Sequence, residues 1–251
     1  MPARINVSDF NLATTLECGQ AFRWRHNADG WFTGVVRKRV LRLRQTGNVL
    51  EGDVDRYYLA LDVSLRNITG TFPDDPALRD AVVKHWGLRV LRQEPWETLA
   101  SFIASSTKQI VQIRQIVELL AQRFGEPVGT AYSFPSAEAV ARATVADLRA
   151  CKLGFRAAYL RAAARRVADG QLDLAALRTM DYKRALEELL KLHGVGEKIA
   201  NCVLLFSCGH DEAFPVDVWM KRALQRVNRR VDFGPYAGWA QQYLFHAERR
   251  K

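Results

Sequence analysis

Two glycines one residue apart, set between two stretches of helical periodicity, constrain this chain more than any other feature. The segment runs Leu189-Leu190-Lys191-Leu192-His193-Gly194-Val195-Gly196-Glu197-Lys198-Ile199-Ala200-Asn201-Cys202. Leu189 and Leu192 close one apolar stripe, and Ala200 and Leu204 open the next. Glycine at Gly194 and Gly196 permits positive φ and a very tight turn. The two helices must therefore pack against each other at once, and the small Ala200 suits that close approach. The second helix begins with unpaired backbone N–H groups and a positive dipole end, a combination that holds phosphate. A plain αα corner is the alternative reading of the glycines alone.

Charge bears on that choice. Lys and Arg total 37 against 27 Asp and Glu, a net charge of +10. Residues 1–141 carry 17 basic and 15 acidic groups, and residues 142–251 carry 20 and 12. The half with the glycine hairpin thus holds +8 of the +10. A basic half points to a polyanionic partner, nucleic acid or an anionic membrane surface, with a solvated basic face as the alternative. A hairpin that offers N–H groups to phosphates grips a DNA backbone without reading sequence.

Other classes drop out. No apolar run reaches the roughly 20 residues of a membrane span, and Met1 to Leu16 lacks the basic-then-apolar order of a signal peptide. Cys18, Cys151, Cys202 and Cys208 form no C-x-x-C pair and no disulfide framework, so a reducing, cytoplasmic location is expected. Their spacing suits neither a structural zinc nor an iron–sulfur cluster, and no metal or cofactor is expected.

The fold class expected is α+β: an antiparallel β-rich N-terminal domain, residues 1–92, then a helical region, 93–251. Gly34-Val35-Val36 and Val40-Leu41-Arg42-Leu43-Arg44 contain period-two alternation, with turn residues at Asn27–Gly30 and Thr46–Asn48. Asp74-Asp75-Pro76 predicts a helix start, closed by Gly87. From Pro95, apolar residues from Leu99 to Leu120 recur every three or four positions up to Gly125. Further helices are predicted from Ser136, over Ala157–Val167, Tyr182–Leu192 and Ile199–Ser207, and from Val218.

Lys198 lies in the first turn of the second hairpin helix, where the dipole disfavours a cation. It is either a phosphate contact or an amine suited to be a nucleophile. Asp217, in Phe214-Pro215-Val216-Asp217-Val218-Trp219, precedes a helix and can cap it. A helix from Lys198 to Cys208 climbs about 15 Å. The eight residues that follow can return up to roughly 26 Å. Asp217 can therefore come back beside Lys198.

These residues resemble the helix–hairpin–helix DNA glycosylases with a Gly/Pro…Asp loop, and within them the 8-oxoguanine DNA glycosylase branch. The likeness rests on the hairpin (189–204), Lys198 and Pro215-Val216-Asp217 in the loop 213–219. It is extended by Cys18-Gly19-Gln20-Ala21-Phe22-Arg23-Trp24, Gln93-Glu94-Pro95-Trp96-Glu97, Phe102-Ile103-Ala104-Ser105-Ser106, Leu153-Gly154-Phe155-Arg156-Ala157, and Tyr236–Phe245 in a C-terminal helix over 236–248. Together they span residues 16 to 245.

The resemblance implies a bifunctional enzyme that flips 8-oxoguanine out of duplex DNA, a step costing a few kcal/mol. Lys198 would attack the sugar C1′, release the base through an imine and permit β-elimination. Asp217 would stabilise the cationic sugar. The Gly19 carbonyl would accept the hydrogen that N7 carries only in the oxidised base. Cys202 and Phe245 would sandwich the base, and Gln241 would bond its Watson–Crick edge. Gly194, Val195 and Gly196 would hold the DNA backbone and Arg156 the orphaned cytosine.

The chain departs from the branch in places. Thr107, Lys108 and Gln109 follow Ser106 where an asparagine commonly fills the gap left by the flipped base. Gln112 replaces a second cytosine-reading arginine, Phe155 a tyrosine, and Trp219 a phosphate-binding histidine. Opposite-base discrimination looser than strict cytosine preference follows. A monomer bound to double-stranded DNA, with no membrane, is expected. A monofunctional alkylated-base glycosylase of the same fold would lack Lys198. A non-catalytic DNA-binding protein would leave Lys198, Asp217 and Gln241–Phe245 without a role.

Overall fold

Leu41 and Leu43 alternate with Arg42 and Arg44, and the alternation yields a strand with one buried and one wet face. In the computed structural model, which describes residues 3–228 and 231–250, this strand is β4 (Arg39–Thr46). The other strands are β1 (Ala3–Asn6), β2 (Trp24–His26), β3 (Phe32–Val36) and β5 (Val49–Gly52). They form one antiparallel sheet of order β1-β5-β4-β3-β2. The turns at Asn27–Gly30 and Gly47-Asn48 fall where turn residues stand. The β3–β4 turn is made instead by Arg37 and Lys38, both with positive φ (48° and 60°), and no glycine signals it.

Helix α1 (Leu12–Glu17) precedes β2, and α2 (Leu65–Thr69) follows the sheet. Helix α3 (Pro76–Lys84) starts at the expected acid–proline pair, where Asp75 accepts from Leu78 N. The apolar run from Leu99 to Leu120 is two helices rather than one: α4 (Pro95–Ser105) and α5 (Ile110–Phe124). Thr107 takes φ +56° between them, and a Gln109–Gln112 capping box starts α5. The break keeps the three- and four-residue phase, so periodicity passes over it.

A short ribbon of β6 (Pro127–Val128) and β7 (Ala131–Tyr132) leads to α6 (Ala137–Arg142), capped by Ser136, and α7 (Val145–Leu148). A π-turn joins α7 to α8 (Arg156–Ala168). Then come α9 (Tyr182–Leu190), α10 (Glu197–Val203), α11 (Val218–Ala223) and α12 (Ala237–Arg249). Helix α4 is buried along almost its whole length, and α5, α8 and α10 pack around it. No helix among the described residues is long and apolar enough to cross a membrane.

Three apolar clusters result. One fills the space among the helices around α4, and one lies under the sheet. The third joins Cys18, Leu78 and Leu88 to Met220, Tyr243 and Leu244, so segments before and after residue 92 share a core. On α12, His246 is 2% exposed, its ring edge-on to His85 at 4.4 Å.

Burial pushes the His246 imidazole down to about 3, and His85, Arg249 and nearby cations add to this. The unfolded chain then binds a proton that the folded chain excludes, so stability is lost as pH falls below about 6.5. His246 alone should cost about 2 kcal/mol between pH 7 and pH 5. Denaturant unfolding of H246L should show that share of the pH slope removed; parallel curves for the two proteins would exclude it.

Candidate active site

A cavity of about 750 Å³ opens where the loop after α1, the α4–α5 loop, α10, the segment before α11 and α12 meet. Gly19, Ser105, Lys198, Cys202, Asp217, Gln241 and Phe245 all line it. The folding of the chain thus collects residues from positions 19 to 245 that the sequence only suggests belong together.

Gly19 has φ +89°, and a Cβ there would stand 2.9 Å from Ile110 Cδ1 and 3.5 Å from the Phe245 ring. The positive φ favours glycine, and a Cβ would also press on the end of the Ile110 side chain. Beneath it, fully buried Gln20 donates to Thr15 O (3.0 Å) and Arg89 O (2.7 Å) and accepts from Leu91 N (2.8 Å). From the other side, Gln242 of α12 donates to Cys18 O and Arg249 to Glu17 O. The loop that presents Gly19 is therefore tied to both the N-terminal segment and α12.

The hairpin forms between α9 and α10 as expected, with one difference. Gly194 takes φ +83°, and a Cβ there would strike the Tyr159 ring at 2.4 Å. Gly196 is extended (φ −99°) and caps α10, with no atom within 4 Å of where its Cβ would be. Nothing inside the protein requires glycine at Gly196; the open side is the one an outside backbone would approach. Val195 is buried and anchors the turn, its N–H donating to Leu192 O.

Lys198 projects from the first turn of α10 toward the end of α4. Its Nζ donates to Ser105 Oγ (3.3 Å) and lies 5.0 Å above the centre of the Phe102 ring. Among the described residues no ion pair joins it to Asp217. Asp217 caps α11 as predicted, Oδ1 accepting from Trp219 N and Met220 N, both at 2.9 Å. One carboxylate oxygen is thus spent on capping the helix.

The segment carrying Asp217 is clamped between two helices. Asn201 of α10, which is buried, accepts from Phe214 N (3.1 Å) and from the Tyr182 hydroxyl (2.7 Å), and donates to Glu197 O. From α12, Gln241 Nε2 donates to Pro215 O (3.0 Å) and Gly238 N to Asp211 O (2.7 Å). A Cβ on Gly238 would lie 2.3 Å from Leu205 Cδ1 and 2.6 Å from Ala213 O, so glycine lets α12 seat this closely.

The base-sized part of the cavity has polar and apolar walls. Gln241 is 4% exposed; with Nε2 committed to Pro215, its Oε1 is buried and has no partner among the described residues. Burial pushes the Cys202 thiol up to about 11, which keeps it neutral and unreactive. Phe245 is half-buried, with the Arg249 guanidinium 5.7 Å from its ring centre.

The remaining predicted residues divide. Thr107, Lys108 and Gln109 form the α4–α5 loop at the cavity edge, and Trp219 stands on α11 beneath Arg222. Gln112 is exposed, and its Oε1 accepts from Gln109 N as the capping partner of α5. Arg156 is 4% exposed and donates to Leu153 O, Ser106 O and Thr107 Oγ1. It holds the α4–α5 loop from inside rather than standing in solvent.

Sequence reasoning passed over Asn201, Gln242, Gly238 and Ser105 as functional positions. Their signal is weak: each is a polar or small residue at a position whose helical phase is buried, which is a mark of positioning only once the partner is known.

Comparison with known proteins gives the chain a family. Residues 100–233 match the model of the HhH-GPD superfamily of base excision DNA repair proteins, and residues 3–56 and 53–99 match the 8-oxoguanine DNA glycosylase N-terminal domain. The N-glycosylase/DNA lyase of Saccharomyces cerevisiae is 31% identical over 97% of this chain and 85% of its own length. Among solved structures, MBOgg1 with a low-affinity DNA ligand superposes with TM-score 0.92 at 35% identity, covering 99% of this chain and 96% of its own. The Clostridium acetobutylicum 8-oxoguanine glycosylase/lyase, bound to double-stranded DNA with cytosine opposite 8-oxoG, gives TM-score 0.91 at 31% identity, covering 100% and 98%.

Replacing Asn201 by Leu removes the acceptor of the partly buried Phe214 N–H and Tyr182 hydroxyl. The variant should be less stable by about 1 kcal/mol or more. Urea unfolding measures this, and a loss below a few tenths would mean the clamp does not depend on Asn201.

Proposed function

Because the chain belongs to the HhH-GPD superfamily of base excision DNA repair proteins, in its 8-oxoguanine DNA glycosylase branch, we propose that it excises 8-oxoguanine from duplex DNA through Lys198 and then cleaves the strand at the resulting site. The single observation that carries this reading is the shared cavity, in which an amine from α10 and a capping carboxylate before α11 face a pocket able to hold one base.

A base within the stack is out of reach, so the nucleotide must turn out into the cavity. The Lys198 amine attacks C1′ as the glycosidic bond breaks, and the base leaves with the bonding electrons and is then protonated. The attached nitrogen loses one proton, its lone pair opens the sugar ring at the C1′–O4′ bond while O4′ takes up a proton, and the nitrogen, keeping one N–H, becomes an iminium to C1′. That cation acidifies C2′–H; loss of this proton expels the 3′ phosphate by β-elimination. Positive charge develops on the sugar in the first step, and the Asp217 carboxylate stabilises it. Its Oδ1 bonds to Trp219 N and Met220 N hold it in place beforehand, so no reorganisation is needed as the charge forms.

Lesion choice falls to a carbonyl and an amide. Gln241 Oε1, buried and unpartnered, suits the N–H groups of a guanine Watson–Crick edge. That edge is common to guanine and its oxidised form. The two differ at N7, an acceptor in guanine and an N–H in 8-oxoguanine, and the Gly19 carbonyl is the group assigned to read it. Phe245 and Cys202 supply apolar faces, and the neutral thiol adds no charge.

Backbone affinity comes from the Gly194–Gly196 hairpin and the basic C-terminal half, and is sequence-blind and salt-sensitive. The Thr107–Gln109 loop fills the space the base leaves. Trp219 lies alongside the strand. Arg156 reaches the opposite base by releasing Ser106 O and Thr107 Oγ1, with Gln112 in place of a second arginine. We place the protein in the cytoplasm as a monomer; its four free, buried cysteines suit a reducing compartment.

A duplex with one 8-oxoguanine, treated with borohydride during the reaction, should yield a covalent adduct in wild type and none in K198Q. Base release without an adduct would instead support a monofunctional enzyme, and binding without release a DNA-binding protein. D217N should slow base release by about 10² or more while still binding the lesion duplex; unchanged turnover would remove Asp217 from the chemistry.

A further inference from the structure

We propose that Ser105 is a positioning residue for Lys198: it holds one N–H of the amine and so directs the nitrogen lone pair toward the sugar. The inference rests on Lys198 being the nucleophile. Ser105 is buried at the end of α4, the central helix, and its Oγ donates to Phe102 O at 2.7 Å. That bond spends the only proton of the hydroxyl, so its lone pairs are what face Nζ at 3.3 Å.

The direction of this bond matters. A hydroxyl that donated to the amine would occupy the lone pair required for attack on C1′. A hydroxyl locked as an acceptor takes an N–H instead, and so fixes rotation about the Cε–Nζ bond with the lone pair left free. The preference is built in, because the carbonyl of Phe102 is the nearer acceptor for the serine proton. Serine commonly bonds back to a carbonyl three or four residues earlier in its own helix; here that habit sets the orientation of a group on a different helix.

The same turn of α4 supplies a floor. The Phe102 ring lies 5.0 Å below Nζ and is itself wedged against Phe22 and Phe206, at 5.4 and 5.6 Å between ring centres. Since no ion pair joins Lys198 to Asp217 among the described residues, the hydroxyl and the ring are the contacts that orient the amine. A lysine side chain has several freely rotating bonds, and misplacement by about 1 Å can cost on the order of a hundredfold in rate.

The test compares wild type, S105A and S105T under single-turnover conditions with an 8-oxoguanine duplex, following base release and borohydride-trapped adduct. Affinity is measured by placing S105A in the inactive K198Q background and comparing it with K198Q alone, and thermal melts are recorded for every protein. S105A should release base about tenfold to a hundredfold more slowly, with affinity within twofold and an unchanged melt. S105T, which keeps the hydroxyl, should recover most of the rate; if it does not fold, the S105A comparison decides. Wild-type rate in S105A would overturn the proposal, as would a rate loss matched by equal losses in affinity and melting temperature. Failure of wild type itself to form an adduct would overturn the nucleophile reading, whereas a trapped wild type with an unimpaired S105A overturns the role of Ser105 alone.

Discussion

The hydrogen bond from Phe214 N to Asn201 Oδ1 is the constraint on which the arrangement of the site turns. It joins the helix that carries Lys198 to the segment that ends in Asp217. Without it residues 209–216 would lose this tie to the helix that carries Lys198. The bond is partly buried, so breaking it leaves an amide poorly reached by water, at a cost of about 1 kcal/mol. Gln241 and Gly238 hold the same segment from α12, and the carboxylate then completes its own fixing by capping α11. Amine and carboxylate are thereby set on neighbouring rigid elements rather than joined to each other.

Helix α12 serves both halves of the cavity. One residue, Gln241, supports the Asp217 segment through its amide nitrogen and offers its oxygen to the pocket. The next, Gln242, reaches Cys18 O and supports the loop that bears Gly19. The strands of the N-terminal sheet do not line the cavity, yet the third apolar cluster binds α3 and Cys18 to α11 and α12. The sheet-bearing segment thus works as a mount for Gly19, held at a fixed distance from the helices around Lys198 and Asp217.

Much of this was legible beforehand because it is local. The strands follow from period-two alternation, α3 from Asp75-Pro76, and the hairpin from two glycines between apolar stripes. Other features were hidden for identifiable reasons. The α4–α5 break preserves helical phase, so periodicity runs through it, and Thr107 adopts positive φ without being glycine. Gly196 is not needed for the turn: its φ is ordinary, and its missing side chain matters only on the open side. Arg156, a charged residue that composition would put in water, is buried under the loop it holds.

The sequence by itself determined residue types and their local conformation: an amine in a first helical turn, a carboxylate at a cap, a glycine forced to positive φ, and a basic C-terminal half. These follow from propensity, capping and charge, which act over a few residues. Only the tertiary structure decided that residues 19, 105, 198, 217 and 241 share one cavity, that Gln241 turns its oxygen inward, and that Ser105 presents a lone pair to Lys198. Those outcomes depend on packing between segments up to 222 positions apart, where each buried polar atom must find a partner that no local pattern specifies.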